Sequence, residues 1–367
     1  MSKSPQSLNL HHWTLPPGPL DAITDVAGVR VGHVTLIQGE GPLRPGQGPV
    51  RTGATVILPH GGNLFRAKVR AVVHTINGFC KACGFEEVRE LGVIEAPIVL
   101  TNTLNVWLAA DAVAQRMVAQ NPEIGVRTSS VNVVVGECND GYLNDMQGRH
   151  VRAEHVWAAL DEASDGPVIE GAVGAGTGTS CFGWKGGVGT ASRVLPGEGG
   201  GFTVGALVQS NFGRPEQLIV GGVHVGARLR PPDAPPFPPP ERGSIMMVLA
   251  TDAPLTSRQL RRLCVRAAAG IARTGSHIGH GSGDFVIAFS TAYRIPHRVG
   301  DEPVPLTAEA PMILDEPRAM HWLLPAVVEA IEEAVLNSLC AAVTMTGRDG
   351  HVRYALPLDE VRSMIRP

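Results

Sequence analysis

The chain has 367 residues, of which 44% are hydrophobic and 18% charged, and its net charge is −3. This composition is typical of a globular protein, and it lacks the lysine- or arginine-rich block expected of a protein that binds nucleic acid or an anionic membrane. The first ten residues lack the apolar core of a signal peptide, and no apolar run is long enough to span a bilayer. We therefore expect a soluble, cytoplasmic protein.

The first half of the chain mixes predicted strands with predicted helices. Short apolar or alternating runs predict strands over residues 28–37, 54–59, 96–101 and 131–135. Helical periodicity predicts helices over residues 104–119, with Thr103 as the N-cap, and over residues 153–163. The strand over residues 131–135 ends in a polar turn that contains Glu137 and Tyr142.

A glycine-dense segment covers residues 171–192 and raises the question of a phosphate-binding loop. The GxxxxGK[ST] spacing is absent, because a glycine follows Lys185. The dinucleotide fingerprint is only half formed, since no clear strand precedes Gly174 and no clear helix follows Gly178. Two interpretations stay open for the loop from Gly174 to Gly189: nucleotide binding, or a close approach of its backbone to a substrate or an inner strand.

The second half contains further strands and two long helices. Strands are predicted over residues 202–210, 218–225 and 285–290, and a small hairpin over residues 342–345 and 352–355. Helices are predicted from the N-cap Thr256 to the stop Gly275, and over residues 318–341, where Pro325 indicates an irregular start. Two sheet layers covered by helices would account for this pattern.

The most informative stretch is the junction at Gly243 and Ser244. A proline-dense run over residues 231–240 precedes it, and this composition predicts an extended, exposed tether. Ser244 is the first residue of an apolar run, and this pattern predicts a buried strand. Its hydroxyl could attack the Gly243 carbonyl, and cleavage would leave an α-amine of pKa about 7.7–8 beside the same hydroxyl. The alternative is an ordinary linker that leads into an ordinary strand.

Two other patterns are weaker. Cys80 and Cys83 form a single CxxC pair, which is more typical of packing or surface thiols than of a metal or redox site when no second pair is present. His277 and His280 lie near Asp284, but a glycine between the two histidines argues against a rigid helical HxxH metal motif. We predict no metal and no cofactor.

Seven stretches taken together resemble the family of L-aminopeptidase D-esterase/amidases and bacterial β-peptidyl aminopeptidases. They occur in order along nearly the whole chain and include the strand-end turn with Glu137, the strand that ends at Asn211, and the junction at Ser244. All seven are DVAGVRVGH at residues 25–33, LTNT at 100–103, VGECNDGYLND at 135–145, the glycine loop at 174–189, VQSNFG at 208–213, RGSI at 242–245 and GSGD at 281–284.

This resemblance implies a single αββα sandwich, similar to N-terminal nucleophile hydrolases but differently connected. It also implies an inactive precursor cut into chains 1–243 and 244–367, which assemble as a tetramer of cleaved heterodimers. The expected activity is that of a serine aminopeptidase acting on short peptides, amides or esters, with D- and β-residues among its candidate substrates.

The resemblance also assigns roles to individual residues. Ser244 is the nucleophile, Asn211 donates to the oxyanion, and Ser282 and Asp284 orient and polarise the nucleophile. Some relatives have glutamate where this chain has Asp284. Glu137 suits a substrate ammonium group, and Tyr142 suits the scissile carbonyl or the oxyanion. Taken singly, Asn211 could be a turn residue, Ser282 and Asp284 strand caps, and Glu137 part of a salt bridge.

Three other functions remain possible on the sequence alone. The first is a related N-terminal nucleophile amide hydrolase or acyltransferase, although such enzymes typically use threonine. The second is a nucleotide-dependent oxidoreductase that uses the loop from Gly174 to Gly189. The third is an oligomeric scaffold that kept the fold without the activity.

Overall fold

The computed structural model describes residues 13–234 and 242–365. The first six strands are β1 (Arg30–Gln38), β2 (Val50–Leu58), β3 (Ala67–Gly78), β4 (Val93–Ile94), β5 (Ile98–Asn102) and β6 (Val134–Cys138). The others are β7 (Ser180–Cys181), β8 (Trp184–Lys185), β9 (Val188–Val194), β10 (Thr203–Asn211), β11 (Arg242–Thr251), β12 (Gly281–Pro296), β13 (Met345–Thr346) and β14 (Val352–Arg353). The helices are α1 (Phe85–Leu91), α2 (Val106–Gln120), α3 (Ala153–Asp161), α4 (Ser257–Arg273), α5 (Glu316–Cys340) and α6 (Leu358–Ile365).

Ten strands form two sheets. The four-stranded sheet has the order β1-β2-β5-β6, and the six-stranded sheet has the order β4-β3-β12-β11-β10-β9. Strands β11 and β12 run parallel at the centre of the larger sheet, whereas β10 pairs antiparallel with β11. The start of β11 therefore lies beside the start of β12 and the end of β10.

The two sheets face each other across an apolar core, and helices cover their outer faces. Leu100 of the smaller sheet and Met246 and Phe289 of the larger one belong to the core between the sheets. Leu263 of α4 and Ile331 of α5 pack on the outer face of the larger sheet. Helices α2 and α3 pack on the smaller sheet in the same way. The predicted αββα sandwich is confirmed.

Most predicted elements are present, with shifted ends. The strands predicted over residues 28–37, 54–59, 96–101, 131–135, 202–210 and 285–290 correspond to β1, β2, β5, β6, β10 and β12. Thr256 is the N-cap of α4, because its hydroxyl accepts a hydrogen bond from the Gln259 amide. Gly275 follows that helix with a φ of +99°, a conformation that glycine adopts without strain.

Three local predictions are wrong. Residues 218–225 form turns instead of a strand, because Gly221 and Gly222 both adopt positive φ and fold the apolar run back on itself. Thr103 does not cap α2. Instead, the Asn102 side chain accepts a hydrogen bond from the Asn105 N–H and caps a short 3₁₀ turn over residues 103–105, which precedes α2. Pro325 lies inside α5 and does not mark its start.

Among the elements that the sequence analysis did not assign, β3, β4 and β9 complete the larger sheet, and α1 packs on β3. Residues 235–241, which include most of the exposed tether predicted over residues 231–240, and the N-terminal residues 1–12 lie outside the described residues. Within the described ranges, no helix combines the length and the apolar character that crossing a membrane requires.

Candidate active site

Ser244 lies near the start of β11, at the centre of the larger sheet. It faces Asn211 of β10 on one side and Gly283 of β12 on the other. The residue is 3% exposed, and its side chain shares its face of the strand with Met246, which lies in the core between the sheets. The hydroxyl therefore lies between the two sheets, at the end of the sandwich where β11 and β12 begin. A Cβ on the preceding Gly243 would lie 2.8 Å from the Asn211 carbonyl oxygen, so the closeness of these two strands requires glycine there.

Two hydrogen-bond donors converge on the Ser244 hydroxyl from different sheets. The Asn211 side-chain Nδ2 lies 3.4 Å from Ser244 Oγ, and the backbone N–H of Asn139 lies 3.4 Å from the same oxygen. The Ser180 backbone N–H donates to Asn211 Oδ1 at 3.0 Å, which turns the amide nitrogen toward Ser244. The pair has the composition of an oxyanion hole: one side-chain amide and one backbone amide, both fixed before reaction.

Within the part of the chain that the structure describes, the Ser244 hydroxyl has no contact with a conventional general base. Among the described residues, no histidine or lysine side chain hydrogen-bonds to its hydroxyl. The Cys138 thiol is close by and donates to the Gln209 carbonyl at 3.3 Å. Burial raises the pKa of Cys138 well above its ordinary value, so it is a protonated thiol and not a base.

Ser282 and Asp284 form a hydrogen-bonded pair one strand away. Ser282 Oγ donates to Asp284 Oδ1 at 2.7 Å, and each residue is 1% exposed. Gly283 is the residue directly opposite Ser244, while Ser282 lies opposite Gly243. Because side chains alternate along a strand, the pair points away from the face that carries the Ser244 hydroxyl. The pair thus lies beside the main chain of the Gly243–Ser244 bond, and its assigned role stays a prediction.

Glu137 is a buried carboxylate near the end of β6, two residues before Asn139. Its Oε1 accepts from Cys80 Sγ at 2.8 Å and from the Lys81 backbone N–H at 3.0 Å, and its Oε2 accepts from the Thr103 hydroxyl. All three donors are neutral groups, because burial and the adjacent carboxylate raise the pKa of the Cys80 thiol far above its ordinary value. None of these donors is a cation, so an ammonium group is a chemically suitable further partner for Glu137.

Tyr142 lies in the turn after β6, but its hydroxyl does not contact Ser244 in the structure. It donates to Asp233 Oδ2 at 3.2 Å. One face of its ring stacks on His351, with ring centroids 4.5 Å apart, and the Arg353 guanidinium carbon lies 3.5 Å from the ring centroid. Its assigned role at the scissile carbonyl stays a prediction.

The glycine loop is used for internal packing. Added Cβ atoms at Gly176, Gly178 and Gly187 would come within 2.4 Å of backbone atoms, so these residues allow the loop to press against neighbouring strands. The Lys185 ammonium donates to three backbone carbonyls at 2.7–3.0 Å, in residues 176, 179 and 186. The Lys185 ammonium thus holds together the loop that carries Ser180 by binding its carbonyl groups. It does not point outward as a phosphate-binding lysine would.

Lys185 is balanced by a buried carboxylate in the turn after β6. Burial lowers the pKa of Lys185 to about 7 and raises the pKa of Asp140 to about 7, and the nearby negative charge of Asp140 acts against the first shift. Asp140 Oδ1 accepts from the Asn144 amide at 3.0 Å. These two groups hold the segments that supply Ser180 and Asn139 to the site.

The other candidate sites have no such organisation. All six cysteines are free thiols, including Cys80 and Cys83. His277 hydrogen-bonds to the Gln217 side chain at 3.3 Å. Across residues 13–234 and 242–365, no three or more histidine, cysteine, aspartate or glutamate side chains are arranged to hold a metal ion.

Sequence reasoning did not identify the Asn139 backbone amide, Ser180 or Arg353. A backbone donor leaves no side-chain signal in a sequence. Ser180 and Arg353 reach the site only because β7 and β14 bring segments 173 residues apart into contact, with Arg353 Nε donating to Ser180 Oγ at 2.9 Å.

The chain is similar to known proteins in both sequence and structure. The family model for Peptidase family S58 matches residues 21–353. A β-peptidyl aminopeptidase from Sphingosinicella microcystinivorans is 42% identical over 362 residues, covering 95% of this chain and 89% of that protein. A crystal structure of a protein from Pyrococcus horikoshii OT3 superposes with a TM-score of 0.91 at 49% identity, covering 99% of this chain and 98% of the other.

A second solved structure bears directly on the architecture. The L-aminopeptidase D-Ala-esterase/amidase from Ochrobactrum anthropi, described as a prototype for the serine aminopeptidases and a variant of the Ntn hydrolase fold, superposes with a TM-score of 0.89 at 39% identity. The match covers 99% of this chain and 98% of that one.

Proposed function

The chain belongs to Peptidase family S58 and is an aminopeptidase, and we propose that it cuts its own Gly243–Ser244 bond and then uses Ser244 as an N-terminal nucleophile. The observation that carries this proposal is the position of the Ser244 hydroxyl. It lies between the sheets with the Asn211 amide and the Asn139 N–H both 3.4 Å away, directly after the bond to be cut.

Self-cleavage needs only groups near that bond. Ser244 Oγ attacks the Gly243 carbonyl carbon, and the oxyanion that develops lies near the Asn211 and Asn139 donors. The C–N bond breaks as the amide nitrogen takes up the proton that the Ser244 hydroxyl gives up, which leaves an ester between the Gly243 carbonyl and Ser244 Oγ. Water then hydrolyses this ester and releases a Gly243 carboxylate and a Ser244 α-amine.

Turnover uses the amine that cleavage creates. With a pKa of about 7.7–8, the free α-amine is partly deprotonated near neutral pH and can take the Ser244 hydroxyl proton. The alkoxide attacks the substrate carbonyl, and the resulting ammonium returns the proton to the leaving amine or alcohol, which departs and leaves an acyl ester on Ser244 Oγ. Water, deprotonated by the same amine, then hydrolyses this ester and releases the product acid and the Ser244 hydroxyl. Because Ser282 and Asp284 lie beside the main chain at Gly243–Ser244, we assign them to the new α-amine and not to the hydroxyl.

The substrate is positioned by its free N-terminus. Glu137 supplies a buried carboxylate two residues from the Asn139 donor, and all of its present donors are neutral. The relatives named above act, by their names, on β-peptides and on L-amino acid and D-Ala derivatives. We propose short peptides, amides and esters with a free amine as substrates, with β- and D-residues included.

The assembly and location follow the same proposal. Fragments 1–243 and 244–367 would remain associated as one αββα domain, because β10, from the first fragment, pairs with β11 along eight residues. We propose a tetramer of such heterodimers, which the resemblance implies, and a cytoplasmic location.

Replacement of Ser244 by alanine tests this function. We expect the Ser244→Ala variant to stay a single chain on a denaturing gel and to hydrolyse no amino-acid anilide. Ser290→Ala is a matched control: it lies opposite Thr251 at the other end of the same strand pair, where its hydroxyl bonds the Ala253 carbonyl. The control should be cut and active. Cleavage and turnover in Ser244→Ala would refute the mechanism.

A further inference from the structure

A cationic cluster beside the active site already holds a carboxylate. Arg353 Nη1 donates to Asp233 Oδ2 at 3.1 Å, and the Tyr142 hydroxyl donates to the same oxygen at 3.2 Å. The Arg353 guanidinium lies over the Tyr142 ring, which is itself stacked on His351. The two donors are therefore fixed by packing on each other, and together they bind one carboxylate oxygen.

This cluster is linked to the nucleophile by three consecutive contacts. Arg353 Nε donates to Ser180 Oγ at 2.9 Å, and the Ser180 N–H donates to Asn211 Oδ1 at 3.0 Å. Asn211 Nδ2 in turn lies 3.4 Å from Ser244 Oγ. The anion-binding donors are thus fixed relative to the proposed oxyanion hole.

The cluster and Glu137 are connected by contacts to different strands beside Ser244: the cluster to β10 and Glu137 to β12. Arg353 contacts Ser180, which in turn contacts Asn211 on β10. Glu137 accepts a hydrogen bond from Cys80, and Cys80 packs against Gly283 of β12. Strand β11 lies between β10 and β12. A short peptide with its ammonium toward Glu137 and its scissile carbonyl at Ser244 would extend its leaving group toward Arg353.

We propose that Arg353 and Tyr142 form a carboxylate subsite on the leaving-group side of Ser244. Asp233 occupies it in the uncut chain, and the C-terminal carboxylate of a short peptide takes its place during turnover. This inference rests on the proposed aminopeptidase function and adds to it a preference for peptides with a C-terminal carboxylate over the corresponding peptide amides.

The present occupant can be exchanged without leaving a buried charge unpaired. The side chains of Arg353 and Asp233 are 18% and 31% exposed, so solvent reaches both partners. One carboxylate replaces another, which keeps the charge-assisted bonds to Arg353 and Tyr142. Asp233 therefore acts as a competitor for the subsite, and its removal should favour substrates that carry a carboxylate.

The test compares a dipeptide with its C-terminal amide, for example Ala-Gly and Ala-Gly-NH₂, and uses the ratio of their kcat/KM values. Arg353→Gln should lower the acid-to-amide ratio about tenfold, the size expected for loss of a hydrogen bond to a charged group at a partly exposed site. Asp233→Asn should shift the ratio in the opposite direction. Arg353→Lys keeps the positive charge but loses the planar guanidinium with its several donors. Its acid-to-amide ratio should lie between those of wild type and Arg353→Gln.

A second measurement covers the case in which Arg353→Gln fails to fold or to be cut. N-Acetylglycine carries a carboxylate but no ammonium, so it probes the subsite alone. Its inhibition constant against amide hydrolysis should be several-fold lower in Asp233→Asn than in wild type.

The outcomes separate the two proposals. If the wild type hydrolyses neither dipeptide nor amide, the proposed function is wrong. If it hydrolyses both, but the acid-to-amide ratio is the same in wild type, Arg353→Gln and Asp233→Asn, the carboxylate subsite is overturned while the aminopeptidase function stands. An unchanged inhibition constant for N-acetylglycine in Asp233→Asn would also overturn it.

Discussion

Replacement of Asn211 by aspartate isolates one donor of the proposed oxyanion hole. Aspartate has nearly the same shape and can still accept the Ser180 N–H, which bonds Asn211 Oδ1 at 3.0 Å. The change removes the Nδ2 donor 3.4 Å from Ser244 Oγ and leaves the Asn139 N–H in place. Loss of one of two such donors costs about 10²–10³ in kcat, or roughly 3–4 kcal/mol. The carboxylate also repels the oxyanion, so we expect the upper end of this range.

The assay must separate turnover from self-cleavage, because both reactions use the same donor. Anilide hydrolysis is measured after long incubation and normalised to the fraction of cut chain on a denaturing gel. The loss should fall on kcat with little change in KM, since the donor acts on charge that exists only in the transition state.

Asn121→Asp is a matched control. Asn121 is also buried, and its amide donates to the Met117 carbonyl at the end of α2, away from the site. A fully cut Asn211→Asp protein with the kcat of wild type would refute the oxyanion role, as would a loss confined to KM.

Three further predictions follow from other parts of the structure. Glu137→Gln should raise KM about 10- to 100-fold for substrates with a free amine yet leave self-cleavage intact, because the precursor bond has no ammonium; normal KM would contradict its role. Gly243→Ala should slow self-cleavage at least about tenfold on a gel time course, since its Cβ would crowd the Asn211 carbonyl; cutting at the wild-type rate would contradict that packing. Burial lowers the pKa of His33 to about 4, and its Nε2 has no hydrogen-bond partner, so stability present above pH 6.5 should be lost as pH falls toward 4. Denaturant titrations should show a loss of about 2 kcal/mol from pH 7 to 4.5 that His33→Gln removes; an equal loss in that variant would contradict the assignment.

Sequence patterns predicted the layers of this fold because its central strands are short apolar runs. The strand beginning at Ser244 and the strand ending at Asn211 were both recognised in this way. The pattern was misleading at residues 218–225, where the apolar residues are real but two adjacent glycines close the segment into turns. Strand β3 was not assigned, and it carries Lys68, Arg70 and His74 among its apolar residues.

The site was less accessible to sequence reasoning than the fold. The resemblance supplied candidate residues, but only strand register shows that Ser282 and Asp284 face away from the Ser244 hydroxyl. The Asn139 contribution is a backbone amide, and Arg353 joins the site through pairings that no linear spacing encodes.

The central claim is that the active enzyme begins a chain at Ser244. Intact-mass spectrometry of the purified wild type, combined with selective labelling of α-amines, tests it in one experiment. The account predicts two polypeptides, residues 1–243 and 244–367 less any N-terminal trimming of the first, with a labelled α-amine on Ser244 and loss of activity on labelling. An uncut chain of 367 residues that hydrolyses amides, or a cut at another bond in the active protein, would contradict it.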